Sequence, residues 1–371
     1  LIIGLVFVAA AAVIGYQMYY SQTPARHADH DHAIAKLNAG GFLWIERFGD
    51  GRRNLVGRPD KVMVQHWFDP TAASSSEQRQ AARLQGNFPQ ESHHGVMQTI
   101  SLLQTAKLNQ SRNSWATDAG KFVEKGDYFY FVGCLPYFEV TFRYLNLSPL
   151  SSAKSVLKIL NKMGIEPVIS NEERCCGHDA LWSGDEEKFE KLARLNMDVI
   201  AASGAKTVIF SCPEGYFTFK NHYAKLFGKL PFEVVYLTEF LAREWNNANF
   251  AFTGNGAGAV TFHDPCRLGR LSGLYESPRK LLENLPETRL AEMERSLINA
   301  QCCGTSAWME CSNCSKGTQV ERINEAIDTG AGTLITACPK CQIHLTCAQQ
   351  GTDLNMPVKD IFTYLAGRIE L

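Results

Sequence analysis

Residues 332–341 read GTLITACPKC. A short β-branched and apolar run behind a glycine has the composition of a buried strand, and here it ends on a Cys-x-x-Cys pair, Cys338 and Cys341. Working outward, QVERINEAIDTGA at 319–331 predicts a helix, and AQCCGTSAWMECSNC at 300–314 precedes it. The adjacent Cys302 and Cys303 cannot bridge to each other without severe strain, because disulfide geometry demands a set separation and dihedral. Further upstream, ESPRKLLENLP predicts another helix, and GAVTFHDPC predicts a strand ending at Cys266.

The same order stands earlier in the chain. DYFYFVGC reads as a buried strand ending at Cys134, and SSAKSVLKILNKMG as a helix capped by its serines and stopped at Gly164. EPVIS reads as a short strand, NEERCCGHD as a loop carrying Cys175 and Cys176, and residues 185–204 as a helix. KTVIFSC then predicts a strand ending at Cys212, followed by CPEGY. Strands alternating with helices of ten or more residues predict an α/β fold with parallel sheets. An internal repeat of roughly 125 residues follows, joined by the linker NNANFAFTGNGAG, so two tandem duplicated domains are expected at 126–247 and 256–371.

Cysteines just past the ends of parallel strands meet in one crevice, the usual ligand site of open α/β sheets. In the second copy they are Cys266, Cys302, Cys303, Cys338 and Cys341. Five thiols exceed the four that tetrahedral zinc or a cubane iron–sulfur cluster takes. A structural zinc site is the plainer alternative. Gly304 is expected to let the backbone approach a metal, and Pro339 to fix the turn after Cys338. The first copy offers Cys134, Cys175, Cys176 and Cys212, but Gly215 stands where a fifth cysteine is expected. Three roles stay open for Cys311 and Cys314, as added ligands, as a redox dithiol or as plain packing, and Cys347 reads as core. His263 is expected either to donate to a cluster sulfur or to cap its turn, next to Asp264.

The doubled CCG…CPxC pattern, with HDPCRLGRLSGLYESPRKLLE at 263–283, resembles the cysteine-rich domain family of heterodisulfide reductase catalytic subunits and related membrane iron–sulfur oxidoreductases. The resemblance spans residues 127–350. It implies a noncubane [4Fe–4S] cluster on Cys266, Cys302, Cys303, Cys338 and Cys341. For the first half it leaves a four-cysteine cubane on Cys134, Cys175, Cys176 and Cys212, or a degenerate structural site. Family disulfide reduction uses two facing noncubane clusters, so one complete motif puts that mechanism in doubt. The four-cysteine ferredoxin run common ahead of this domain is absent from these residues. Ferredoxin-type and quinone- or haem-binding subunits are therefore expected as partners.

The rest of the chain bounds the reading. It has 371 residues, 12 of them cysteine, with Lys+Arg 37 against Asp+Glu 38, and no basic patch for nucleic acid. LIIGLVFVAAAAVIGYQMYY opens it, and residues 1–22 are expected to form a transmembrane helix, the rival being a signal-peptide core without a clear cleavage site. Arg26, Lys36, Arg47, Arg52, Arg53, Arg58 and Lys61 beyond it predict a single-pass anchor in the cell membrane with the cysteine domains cytoplasmic. Residues 23–125 read as a connecting region with a short hairpin in GFLWIERFGDGRRNLVGRP and a loop entering a helix at 71–87. HADHDH at 27–32 is a solvated polar tract or a metal-binding one, and His93 and His94 are assigned nothing. The functional expectation is a membrane-anchored iron–sulfur subunit. It would move electrons between a cytoplasmic donor or thiol/disulfide couple and a quinone-linked membrane partner. Direct disulfide reduction and a zinc-stabilised scaffold are the alternatives.

Overall fold

The strands Tyr128–Phe131 and Thr207–Phe210 are buried from their second residue onward and are largely apolar, as in a sheet covered on both faces. The computed structural model describes residues 47–49, 52–54, 91–253, 258–304, 307–309, 311 and 313–371. The expected span at 1–22, the tract at 27–32 and the helix at 71–87 lie outside them. Among the described residues no helix is long and apolar enough to cross a membrane.

Strands β1 (Arg47–Gly49) and β2 (Arg52–Asn54) pair antiparallel, the expected hairpin. Strands β3 (Tyr128–Phe131), β4 (Thr207–Phe210) and β5 (Glu233–Tyr236) form a parallel sheet in that order. Strands β6 (Gly258–His263), β7 (Thr288–Leu290), β8 (Thr333–Thr336) and β9 (Val358–Asp360) form a second parallel sheet, ordered β7-β6-β8-β9. The repeat is visible in the topology, with β3, β4 and β5 matching β6, β8 and β9. In the place of β7 the first sheet has only Val168, which bridges Phe129 and Val123. The strand expected over EPVIS is thereby reduced to one residue, since Pro167 lacks the N–H that would extend the ladder.

Helix ends follow local chemistry. The helix Pro149–Lys162 begins earlier than expected, with proline at its first position, and none of its serines caps it. Gly164 leaves it in a left-handed conformation at φ 78. Asp185 caps Glu186–Ser203 by accepting from the Lys188 N–H, and Gly204 ends that helix. Between the halves, the helices Pro149–Lys162 and Ile361–Ala366 pack together, as do Leu237–Glu244 and Glu276–Glu283. One apolar core runs through both, from Phe129 and Phe210 to Phe262 and Phe362. Trp308, from the loop after the second Cys-Cys-Gly, stacks on Phe142 of the first half at 4.8 Å.

Candidate metal centre

Four cysteines stand just past the C-terminal ends of β3, β4, β6 and β8. Cys134, Cys212 and Cys338 each occupy the residue before a helix, and each of those helices has a proline in its first two positions. Unpaired N–H groups at a helix start favour negative charge, but the hydrogen bond with Cys175 pushes the Cys134 thiol up and burial pushes up that of Cys212. The adjacent pairs arrive on loops, Cys175-Cys176 beside Cys134 and Cys302-Cys303 beside Cys266.

Each pair is followed by a glycine at positive φ, 83 at Gly177 and 88 at Gly304. A Cβ at Gly177 would meet the Phe189 ring at 2.7 Å, and one at Gly304 would meet the Ser315 carbonyl oxygen at 2.6 Å. Gly177 N–H points to the Cys175 sulfur at 3.4 Å, and Gly304 N–H likewise bonds the Cys302 thiol. Glycine therefore serves a tight left-handed turn that aims an N–H at sulfur, a more specific reason than close approach to a metal.

In the second half the five sulfurs form one continuous run. Cys266 is hydrogen-bonded to Cys302, Cys302 to Cys303, Cys303 to Cys341 at 3.3 Å, and Cys341 to Cys338. Cys303, Cys338 and Cys341 are buried. Hydrogen bonds from Cys302 and Cys341 pull the Cys303 thiol down to about 5, while burial and the same bonds push its neighbours up. His344 Nδ1 lies 3.5 Å from the Cys303 sulfur. His263 accepts from Arg322 Nε at Nδ1, which places its proton on Nε2, and that nitrogen has no partner among the described residues. His263 also lies within 4.8 Å of the Cys303 and Cys341 sulfurs. This places the ring beside the second-site thiols without a hydrogen bond to any of them.

In the first half Cys134, Cys175, Cys176 and Cys212 line one cavity together with Gly215. The Cys134 and Cys175 sulfurs are 3.7 Å apart, and hydrogen bonds from Cys134 and Cys176 hold the Cys175 thiol well below its usual value. This crevice is braced from a distance. Glu173 accepts the N–H groups of Val132 and Gly133 at 3.0 and 2.7 Å and is paired with Arg112 at 2.9 Å. Gln104 accepts from both Arg112 and the Cys175 N–H, and Asn196 binds the Cys175 carbonyl at 3.0 Å. Residues 91–125, read from sequence as a connecting region, thus supply two of the crevice's braces.

Sequence reasoning also missed the group between the two crevices. Lys340, inside the second Cys-x-x-Cys, reaches into the first cavity, with its ammonium 2.5 Å from both Asp179 and Glu214. His178, Asp179 and Glu214 have metal-ligand spacing, but the lysine ammonium already supplies the cation at the two carboxylates. Burial alone would lower Lys340; attraction to the two carboxylates outweighs it and holds the ammonium well above its ordinary value. The available signal was polar residues inside cysteine motifs, in CCGHD, CPEG and CPKC. Cys311 is exposed and not part of either run. Cys347 is half-buried against Lys316 Nζ at 3.1 Å, and the Cys314 side chain lies outside the described residues.

The donor sets fit iron–sulfur chemistry, with soft thiols in excess, N–H groups aimed at them, and the His263 Nε2 donor without a partner among the described residues. A family model described as "Cysteine-rich domain" matches residues 128–220 and 260–346. Among curated relatives, a component of the dihydromethanophenazine:CoB–CoM heterodisulfide reductase of Methanosarcina barkeri is 30% identical over 272 residues, 71% of this chain and 64% of the relative. The probable iron–sulfur-binding oxidoreductase FadF of Bacillus subtilis is 32% identical over 57% of this chain and 30% of the relative. The EtfAB:quinone oxidoreductase of Syntrophomonas wolfei is 28% identical over 64% and 36%. The chain spans less than two thirds of the length of these relatives.

Proposed function

We propose that this chain, a member of the cysteine-rich CCG domain family, is an iron–sulfur electron-transfer subunit of a larger oxidoreductase. The observation that carries the reading is the unbroken run of five sulfurs from Cys266 to Cys338. Cys266, Cys302, Cys303, Cys338 and Cys341 would hold a noncubane [4Fe–4S] cluster. Cys134, Cys175, Cys176 and Cys212 would hold a four-cysteine cubane, the corner at Gly215 being left to a smaller group. When bound, such clusters accept and release single electrons. The chain's own part is to place the thiols together, aim N–H groups at sulfur, and exclude water by burying three of the five second-site cysteines.

The names of the relatives support two uses of those electrons. A quinone-linked membrane partner is favoured by the relative named EtfAB:quinone oxidoreductase. Direct disulfide reduction is favoured by the relatives named as part of a heterodisulfide reductase. We favour the first, because only one half carries the complete five-thiol motif. The membrane link would run through residues 1–22 as a single span with the cysteine domains cytoplasmic, and through ferredoxin-type and quinone- or haem-binding partner subunits. Iron, sulfide and zinc analysis with a visible spectrum of the anaerobically purified chain tests the assignment. Stoichiometric zinc without sulfide sinks it in favour of a structural scaffold. Turnover with quinone analogues against disulfides separates the two uses, and a chain starting at Gln22 should lose its membrane partitioning when expressed without partners.

A further inference from the structure

The two crevices are joined by a buried bridge of charges. Arg267 Nη1 lies 3.4 Å from the sulfur of Cys266 in the second site, and its Nε donates to His178 Nε2 in the first half at 3.2 Å. With Nε2 accepting, the proton of His178 sits on Nδ1, which meets Asp179 Oδ1 at 2.8 Å and Glu214 Oε2 at 3.3 Å. Lys340 closes the bridge by pairing with both carboxylates from between Cys338 and Cys341. Its ammonium also lies 5.2 Å from the centre of the Trp308 ring, and the Arg267 guanidinium 4.2 Å from that of Trp182. Lys340, Asp179 and Glu214 have side chains only 5%, 13% and 9% exposed, so their charges act through a medium of low dielectric.

The balance of the bridge is specific. Two carboxylates from the first half face two cations from the second, around His178, which joins Arg267 to both carboxylates. Each first-half member stands beside a thiol of the first crevice, His178 and Asp179 after Cys175-Cys176-Gly177 and Glu214 after Cys212. Both second-half members stand beside thiols of the second. A purely structural lock between halves had no need of the cysteine loops, and the hydrophobic contact of Trp308 with Phe142 already provides one.

We propose that this bridge sets the electrostatic potential of both crevices at once, with Lys340 as a positioning residue that supplies the second half's positive charge to the first site. The inference rests on the iron–sulfur reading above. Removing a fixed positive charge beside a metal site disfavours the added electron, and removing a negative one favours it. Lys340→Met should therefore lower the midpoint potentials of the clusters, Asp179→Asn should raise them, and Lys340→Arg should leave them near the parent value.

The test is an EPR-monitored redox titration of the full anaerobic chain and these three variants, with iron counted per chain in each. Opposite shifts at matched iron content, with arginine rescuing, are the expected result; a packing role moves neither potential in this signed way. Unmoved potentials, or shifts of the same sign for Lys340→Met and Asp179→Asn, overturn the inference and leave the iron–sulfur reading standing. If Lys340→Met does not fold, Asp179→Asn and Lys340→Arg decide alone, by a rise in the first and none in the second. A parent chain that binds no iron overturns the functional reading and this inference with it.

Discussion

The two crevices have the same backbone plan and different chemistry. Both set a thiol past each of two parallel strands and a Cys-Cys-Gly turn on the intervening loop. The second gathers five sulfurs into one run and keeps its braces local, with Asp264 held by Arg279 at 2.8 Å and accepting the Leu297 N–H at 2.9 Å. The first has four sulfurs, carboxylates where the second has a lysine, and braces from Gln104 and Arg112 outside the repeat. Duplication preserved the scaffold that places thiols. What diverged are the side chains that set charge and count around them.

The largest expected effect removes one site and spares the other. Cys303 is central in the second run, bonded to sulfurs on both sides. Cys303→Ser should abolish the second site's iron and destabilise that half, because the free energy of metal binding is also folding free energy. The first site's signal should survive. Full iron content and an unchanged spectrum would show that the run is not a ligand set.

Arg112→Met attacks the other side of the comparison. It leaves Glu173 buried without its partner, a change that costs about 3–5 kcal/mol when a buried pair is broken. Urea unfolding should report that loss, and iron should fall at the first site only, since Glu173 holds the loop before Cys134. Equal loss at both sites would mean that the braces are shared.

The fold class was legible because β3, β4, β6 and β8 are apolar enough to show their burial in composition. The nine cysteines of the two sites were legible because strand ends and Cys-Cys-Gly turns recur in order. The braces were not. Gln104 meets Cys175 across 71 positions, and Lys340 meets Asp179 across 161, separations that leave no local pattern. Strands β7 and β9 were also hidden, each being three residues long and carrying charge.

Gly215→Cys sharpens the comparison by restoring the missing thiol. A Cβ there would lie 3.2 Å from the Phe210 ring and 3.9 Å from the Cys176 Cβ, so the added sulfur enters the first crevice at the expense of a small ring shift. Overpacking of this kind costs about 1–3 kcal/mol. The spectrum of the first site should move toward that of the second. An unchanged spectrum at full iron content would show that the glycine corner is not where the halves diverge.

The smallest effect concerns the matched helices that follow β5 and β9. Tyr236 precedes the first without a side-chain cap, its hydroxyl instead reaching the Ala337 carbonyl of the other half at 2.5 Å. Asp360 precedes the second and accepts the N–H groups of Phe362 and Thr363 at 3.0 and 3.2 Å. Burial pushes Asp360 up to about 6, although those N–H groups pull it down. A raised carboxyl binds its proton more tightly in the folded chain, so its stabilising contribution is full below the unfolded value near 3.8 and is lost as pH rises through about 6. Asp360→Asn keeps the accepting oxygen without the charge. Its unfolding free energy should therefore gain on the parent's between pH 4 and 6, by at most about 1.4 kcal/mol per pH unit. Asp360→Ala should lose the cap, about 1 kcal/mol, and make the second helix start as the first one does. Urea melts of the metal-free chain across that range measure both, and a parent–Asn difference that is flat with pH would show that Asp360 is charged in the fold throughout.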